Sequence, residues 1–204
     1  MNAHMLQHLR QNARPVAQHE MGHYVAARVL GFRTGEVSVT VQWPDGHHGA
    51  ATVTLPQSLS TLDDVRYYLR NRVQILYAGA AAETLPCNCT EKKVDSEKAI
   101  KIINNPGNGA ETDHAKAREL IHLLRDMEHS DCDVGDEVLV QCQLDNLSQE
   151  LWNQAVALVE LHADTIVGLA GNLSSRVQAP NEKIEITAQE LENIPSVKAL
   201  TAVQ

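Results

Sequence analysis

The spacing of hydrophobic residues predicts a first helix over residues 15–30. Pro15 fits the first turn of this helix, because the N–H group that proline lacks would have no partner there. Gly31 follows the last apolar residues and fits a helix end, since glycine readily adopts the left-handed conformation that terminates many helices. We therefore expect a mostly apolar helix bounded by Pro15 and Gly31.

Strict alternation replaces this helical spacing between Glu36 and Leu55. The apolar members of the alternation are Val37, Val39, Val41, Ala51, Val53 and Leu55. The segment Trp43-Pro44-Asp45-Gly46 separates the two halves and is typical of a turn. The pattern predicts a small antiparallel sheet of two strands near residues 36–55, with His47 and His48 as solvated residues of the connecting loop.

Helical spacing returns after Thr61, which forms a capping-box-like start with Asp64. Five small residues, 78–82, end that segment and should pack closely against the first helix. Residues 86–109 read as a long loop with one short helix near residues 96–103. Further helices are predicted through residues 117–127 and over residues 138–170, the latter broken near Leu147 and burying His162.

The last residues of the chain predict a short extended segment at Ile184 and Ile186, followed by a short helix that a capping box opens at Thr187 and Glu190. The composition is 43% hydrophobic but only 3% aromatic, so the core must consist of leucine, valine, isoleucine and alanine. Such a core favours helices over a sandwich or barrel. We expect a mainly α (α+β) fold, with residues 1–204 as a single domain.

The formal net charge of −9 argues against a nucleic-acid partner and against an anchor to an anionic membrane. The sequence contains no run of about 18 apolar residues, so no membrane span is expected. Residues 1–14 are polar and lack the apolar stretch of a signal peptide, which predicts a cytoplasmic protein. The four cysteines are expected to be reduced thiols in or near loops; they are Cys87, Cys89, Cys132 and Cys142.

The segment His19-Glu20-Met21-Gly22-His23 is an H-E-x-x-H motif. Two histidines four residues apart on a helix differ by about 40° of rotation, so both imidazoles project from one face and can bind one zinc ion. Glu20 lies beside the pair, where a carboxylate can take a proton from a metal-bound water. This arrangement suits the hydrolysis of a peptide bond. A catalytic zinc also needs a third protein ligand, for which spacing leaves four candidates: Glu83, Asp113, His114 and His122.

The chain resembles the peptidase domain of the FtsH family of ATP-dependent zinc metalloproteases. Three blocks match in order: the H-E-x-x-H motif, then Tyr77-Ala78-Gly79-Ala80-Ala81-Ala82-Glu83, then Gly109-Ala110-Glu111-Thr112-Asp113. The match covers about residues 15–195. Met21 stands where the family has a small residue. This resemblance implies a zincin-like helical domain whose core is residues 15–195.

By position, the resemblance implies that His19, His23 and Asp113 bind one zinc ion per chain. Glu20 would be the general base, and Glu83 would support a ligand without touching the metal. An edge strand between Ala50 and Leu55 would pair with an extended substrate.

The sequence therefore predicts a zinc metalloendopeptidase that cleaves unfolded proteins or peptides. Only 18 residues precede His19 in this sequence and no nucleotide-binding loop occurs in it, so we expect ATP-independent activity from the isolated chain. A separate ATPase partner and a homo-oligomer both remain open. The alternatives are a non-catalytic zinc-containing binding or regulatory module with the same fold, and a zincin whose third ligand lies elsewhere.

Overall fold

The computed structural model describes residues 3–42, 46–56, 58–87, 91–104 and 110–200. These residues form eight helices and three strands, so the expected mainly α fold with a small antiparallel sheet is confirmed. The elements in chain order are α1 (Ala3–Val29), β1 (Arg33–Val41), β2 (His47–Thr54), α2 (Leu62–Glu83), α3 (Ser96–Asn104), α4 (Ala110–Glu128), α5 (Glu137–Leu161), α6 (Ala163–Ser175), β3 (Lys183–Ile186), α7 (Ala188–Asn193) and α8 (Pro195–Lys198).

Helix α1 is longer than the sequence predicts, because it begins at Ala3 and contains Pro15 in its interior. Placing Pro15 in the first turn was therefore wrong. Tertiary contacts hold the preceding turns in place despite the hydrogen bond that proline removes. Leu9 is buried, and the Arg10 side chain donates a hydrogen bond of 3.1 Å to the carbonyl of Val177. Packing of this kind routinely overrides a local helix-breaking preference.

The end of α1 lies where the sequence predicts it. Gly31 has a φ of +81°, a left-handed conformation that favours glycine. The N–H of Phe32 then donates a hydrogen bond of 2.8 Å to the carbonyl of Ala27. This closure turns the chain sharply into β1, which lies beside the helix it has just left.

The sheet has three strands in the order β2-β1-β3, whereas the sequence predicts two. The third strand is the extended segment expected at Ile184 and Ile186, which pairs antiparallel with β1 and places Val37 opposite Ile186. Both isoleucines are buried, so the pairing adds a face of side chains to the core. Because β1 is central among the described strands, β2 is an edge strand, and its outer row of backbone groups pairs with no other described strand.

Helices α1 and α2 run antiparallel, since Gln18 bonds to the carbonyl of Leu85 while His23 lies against Ile75. The capping box of Thr61 and Asp64 at the start of α2 is confirmed. The predicted close packing of the small residues is also confirmed. A Cβ atom on Gly22 would lie 2.5 Å from the carbonyl oxygen of Ala78, so only glycine fits there at this helix spacing.

The helical segment after residue 137 is broken at His162 and not near Leu147. Leu147 is a buried residue within an unbroken α5, while His162 has non-helical dihedrals and joins α5 to α6. The two helices meet at a bend of 71°. At this corner His162 is half-buried, so its expected place in the core was wrong. The capping box of Thr187 and Glu190, which opens α7, is confirmed.

Among the described cysteines, Cys87, Cys132 and Cys142 are free thiols, as expected. Cys142 lies within α5, however, and not in or near a loop. Cys89 and the predicted turn residues 43–45 lie outside the described residues.

Over the described ranges, no single helix is both long and apolar enough to cross a membrane. The bent pair α5 and α6 meets the criteria of length and composition only when the two helices are taken together.

Candidate metal centre

Helix α1 carries His19, Glu20 and His23 on a face covered by α2, β2 and α4. All three residues are at most 9% exposed, although each has a polar side chain. Buried polar groups of this kind need hydrogen-bonding partners. A buried polar group without one destabilises the folded protein, because it has lost its hydrogen bonds to water. The two imidazole rings stand nearly perpendicular, with centroids 4.7 Å apart.

Asp113 completes a group with the two histidines that could hold a metal ion. Its Oδ2 atom lies 2.9 Å from Nε2 of His23 and 3.4 Å from Nε2 of His19. The three atoms all lie within 4.8 Å of one another. Ligand atoms of a tetrahedral ion with bonds of about 2.0–2.1 Å are separated by roughly 3.3 Å, so this spacing suits a shared ion.

The other nitrogen of each imidazole is bound to α2, which fixes both rings. Nδ1 of His23 lies 2.7 Å from the carbonyl oxygen of Ile75, and Nδ1 of His19 lies 3.1 Å from Oε2 of Glu83. Donating through Nδ1 leaves the Nε2 lone pair directed at the shared position. The structure thus places Glu83 against His19, the kind of supporting contact that the family resemblance implies for this residue. The role of Ile75 was missed, because a backbone carbonyl leaves no signal in the sequence.

Neighbouring carboxylates decide the protonation of the group. Burial lowers the pKa of His19, but its hydrogen bonds with Asp113 and Glu83 outweigh burial and raise that pKa to about 10. Burial likewise raises the pKa of Asp113, but hydrogen bonds with His19 and His23 outweigh it and hold that pKa well below its usual range. Carboxylates that favour a proton on a buried imidazole also favour a divalent cation among the same atoms.

Two glycines leave room for these side chains. A Cβ atom on Gly79 would lie 2.5 Å from Cε1 of His23 and 2.7 Å from Nε2 of His19. A Cβ atom on Gly49 would lie 2.6 Å from Cγ of Glu20. The backbones of α2 and β2 therefore approach the three motif residues as closely as chain geometry allows.

The group opens into a cavity of about 340 Å³, whose walls come from α1, β2, α2 and α4. The Glu20 carboxylate lines this cavity and makes no hydrogen bond to any residue that the structure describes. His47 and His48 also line it, as the first residues of β2. Both histidines are exposed, as expected. Placing them in a loop was wrong, because the strand begins earlier than the alternation of Ala51, Val53 and Leu55 suggests.

The two other histidines considered as third ligands lie away from the group. His114 lines a different cavity with Tyr77 and Trp152, and His122 is exposed. On helix α4 the side chain of His114 points about 100° away from that of Asp113, in keeping with its place in the other cavity.

Two cationic residues of the cavity were missed from the sequence, Arg72 of α2 and Lys116 of α4. Nζ of Lys116 lies 3.6 Å from Oδ1 of Asp113. The spacing of three residues between Asp113 and Lys116 could have indicated this ion pair, because helical residues three apart are neighbours.

No protein-family model matches the chain, and comparison with curated proteins finds no significant match. The relation to FtsH-family peptidases therefore stays a resemblance carried by the three sequence blocks.

Proposed function

We propose that this chain is a zinc-dependent metalloendopeptidase of FtsH-like, zincin-like type, which hydrolyses peptide bonds in unfolded proteins or peptides. The observation that carries the proposal is the meeting of His19, His23 and Asp113 in one cavity with the carboxylate of Glu20, which has no hydrogen-bonding partner among the described residues. The edge strand β2 forms a wall of the same cavity.

The donor set fits zinc. Two imidazole nitrogens and one carboxylate oxygen are common zinc ligands, and three protein ligands leave a fourth position for a reacting molecule. When bound, zinc would polarise the scissile carbonyl and lower the pKa of water to about 7. Imidazole also suits other transition metals, so the identity of the ion is a matter for metal analysis.

The chemistry assigned to the protein itself is proton transfer by Glu20. Its carboxylate would take a proton from the attacking water while the new bond forms between the water oxygen and the peptide carbon. The same proton would then pass to the amide nitrogen as the carbon–nitrogen bond breaks. No described residue donates a hydrogen bond to Glu20, and this suits the role, because an oxygen already held by a protein donor would be a weaker base.

Strand β2 would bind the substrate through its free backbone groups. A peptide must be extended to add to a sheet edge, which favours unfolded segments over folded domains. The stretch between Ala50 and Leu55 would provide most of this edge. A separate ATPase could deliver folded substrates, whereas the isolated chain would act on peptides without ATP.

The test is metal analysis together with digestion of casein by the wild type, Glu20→Gln and Glu119→Gln. Glu119 is exposed on α4, so its variant removes the same charge away from the cavity. We expect about one zinc per chain in all three proteins. Cleavage should fall on the order of 10²-fold or more in Glu20→Gln and stay unchanged in Glu119→Gln.

Stoichiometric zinc without cleavage of casein or of a peptide library by the wild type would favour the non-catalytic binding module. Absence of bound metal after loading with zinc would defeat the proposed centre itself. Equal cleavage by Glu20→Gln and the wild type would remove Glu20 from the mechanism.

A further inference from the structure

Arg72 of α2 is a cationic residue that lines the cavity. Helix α2 contains three arginines, and the other two are engaged: Arg66 with Asp63, and Arg70 with carboxylates of α4 and α5. Arg72 is half-buried and lines the cavity, yet it makes no hydrogen bond or ion pair with the residues that the structure describes. A half-buried guanidinium that faces open space has five donors available for a ligand.

Arg72 lies on the face of α2 that is turned toward the metal centre. Residues 72, 76, 79 and 83 differ by no more than about 60° around a helix, which makes them one face. Gly79 of this face touches the rings of His19 and His23, and Glu83 bonds to His19. Arg72 precedes Gly79 by seven residues, so its backbone lies about 10 Å along the helix axis from the ligand atoms.

Strand β2 forms the wall of the cavity that faces this side of α2. Gly49, near the start of the strand, lies against Glu20. Leu55, which follows the last residue of β2, lines a cleft with Tyr67 and Tyr68 of α2. These two tyrosines lie about one helical turn before Arg72 on the same helix. The cavity therefore runs as a groove between β2 and α2, from the metal centre to Arg72. Leu76 and Val53 give this stretch apolar lining.

Charge is distributed unevenly along this groove. The carboxylates of Glu20, Glu83 and Asp113 all lie at the metal end, where Lys116 already pairs with Asp113. The opposite end holds the guanidinium of Arg72, which is unpaired among the described residues. An arginine binds a carboxylate through two parallel N–H···O bonds, which gives both orientation and strength.

We infer that Arg72 is a specificity-determining residue that binds a carboxylate of the bound peptide. The inference rests on the proposed function, because it assumes that an extended peptide lies along β2. Such a peptide advances about 3.3 Å per residue, so a carboxylate at Arg72 belongs about three residues from the scissile bond. The carboxylate is an aspartate or glutamate side chain, or the C-terminal carboxylate of the peptide.

The test measures binding without turnover, using the zinc-loaded Glu20→Gln protein and fluorescein-labelled nine-residue peptides. One arm uses amidated peptides in which a single glutamate is placed at each position in turn. Each of them is compared with the peptide that has glutamine at the same position. The other arm compares free and amidated C-termini in peptides of different length without acidic side chains. We expect one glutamate position, or one length with a free terminus, to bind about tenfold more tightly than its neutral partner.

The same measurement is repeated with Arg72→Gln and Arg118→Gln added separately to the Glu20→Gln protein. Arg118 is exposed on α4, outside the cavity, and its loss changes the net charge equally. The preference for the carboxylate should vanish with Arg72→Gln and persist with Arg118→Gln. Arg72→Glu should reverse it, so that a lysine at the selected position binds more tightly than glutamate. Zinc content should stay at about one per chain in each variant, which shows that the centre is intact.

The inference would be overturned if adding Arg72→Gln to the Glu20→Gln protein left unchanged the ratio of affinities for the glutamate peptide and the glutamine peptide. The absence of any carboxylate preference in either arm would overturn it as well. Wild-type hydrolysis without an effect of Arg72 would defeat only this inference and leave the peptidase proposal standing. Binding that depends on Arg72, in a wild type that hydrolyses nothing, would defeat the peptidase proposal and leave the carboxylate site.

Discussion

Nδ1 of His19 lies 3.1 Å from Oε2 of Glu83, a residue 64 positions further along the chain. This contact joins the motif of α1 to the last turn of α2. Ile75 supports the second imidazole from the same helix, through its backbone carbonyl. The interface between α1 and α2 therefore orients both histidines. Its small residues allow the close packing of the two helices and also leave space for the imidazole rings.

Glu83→Gln tests this support. Glutamine retains a hydrogen-bond acceptor but loses the charge that raises the basicity of the His19 ring, so zinc affinity should fall about 10- to 100-fold. Competition with a chromophoric chelator measures the affinity. The matched control is Glu119→Gln, which removes the same charge from an exposed position of α4. Equal affinities in the two variants would mean that Glu83 is dispensable for metal binding.

Gly79→Ala tests the space between α2 and the two rings. The added Cβ would lie 2.5–2.7 Å from atoms of His19 and His23, so at least one ring must move and metal binding should be lost or greatly weakened. Gly168→Ala is the control, because its Cβ would meet no heavy atom within 4 Å in α6. The control should retain metal and gain up to about 1 kcal/mol of stability. Zinc retention by Gly79→Ala equal to that of Gly168→Ala would contradict the close packing.

Local rules in the sequence were sufficient for several elements. The capping boxes at Thr61 and Thr187 and the glycine end at Gly31 all depend on residues within a few positions of one another. The motif of His19 and His23 belongs to the same class, because helical spacing alone puts both rings on one face. Patterns confined to one turn of helix are therefore the ones that the sequence predicts best.

Several features that depend on distant partners were not predicted. The pairing of β3 with β1 joins segments about 145 residues apart, and no residue of β1 signals it. The course of α1 through Pro15 depends on packing against distant residues, including Val177. Spacing could not select Asp113 from four candidates for the third ligand; that selection came from the family resemblance. Arg72 was missed because an arginine within a helix is ordinarily a solvated residue.

The pKa of Glu190 provides a test of the contacts in the C-terminal region. Its hydrogen bond with Arg176, followed by those with the backbone and hydroxyl of Thr187, lowers the pKa of this carboxyl from 4.5 to about 2. Because the folded-state pKa is depressed, its stabilising effect is fully present above about pH 4.5 and is lost as the pH falls through 2. Side-chain NMR titration should show the low pKa.

Arg176→Gln should move the pKa of Glu190 back toward its ordinary value, since it removes the largest cause of the shift. Lys198→Gln removes a charge of the same sign from the last turn of α8 and should leave this pKa low. A titration midpoint near 4.5 for Glu190 in the wild type would contradict the contacts in the structure.

Asp113→Asn tests the third ligand of the candidate centre. Asparagine nearly preserves the shape of the side chain but removes its negative charge, so zinc affinity should fall while the fold is kept. His114→Ala is the matched comparison, because His114 lies next in sequence but lines a different cavity. Zinc affinity should change little in that variant. Chelator competition measures both affinities, and circular dichroism checks that the helices remain. If His114→Ala released the zinc and Asp113→Asn retained it, both the ligand group and the resemblance in this block would be wrong.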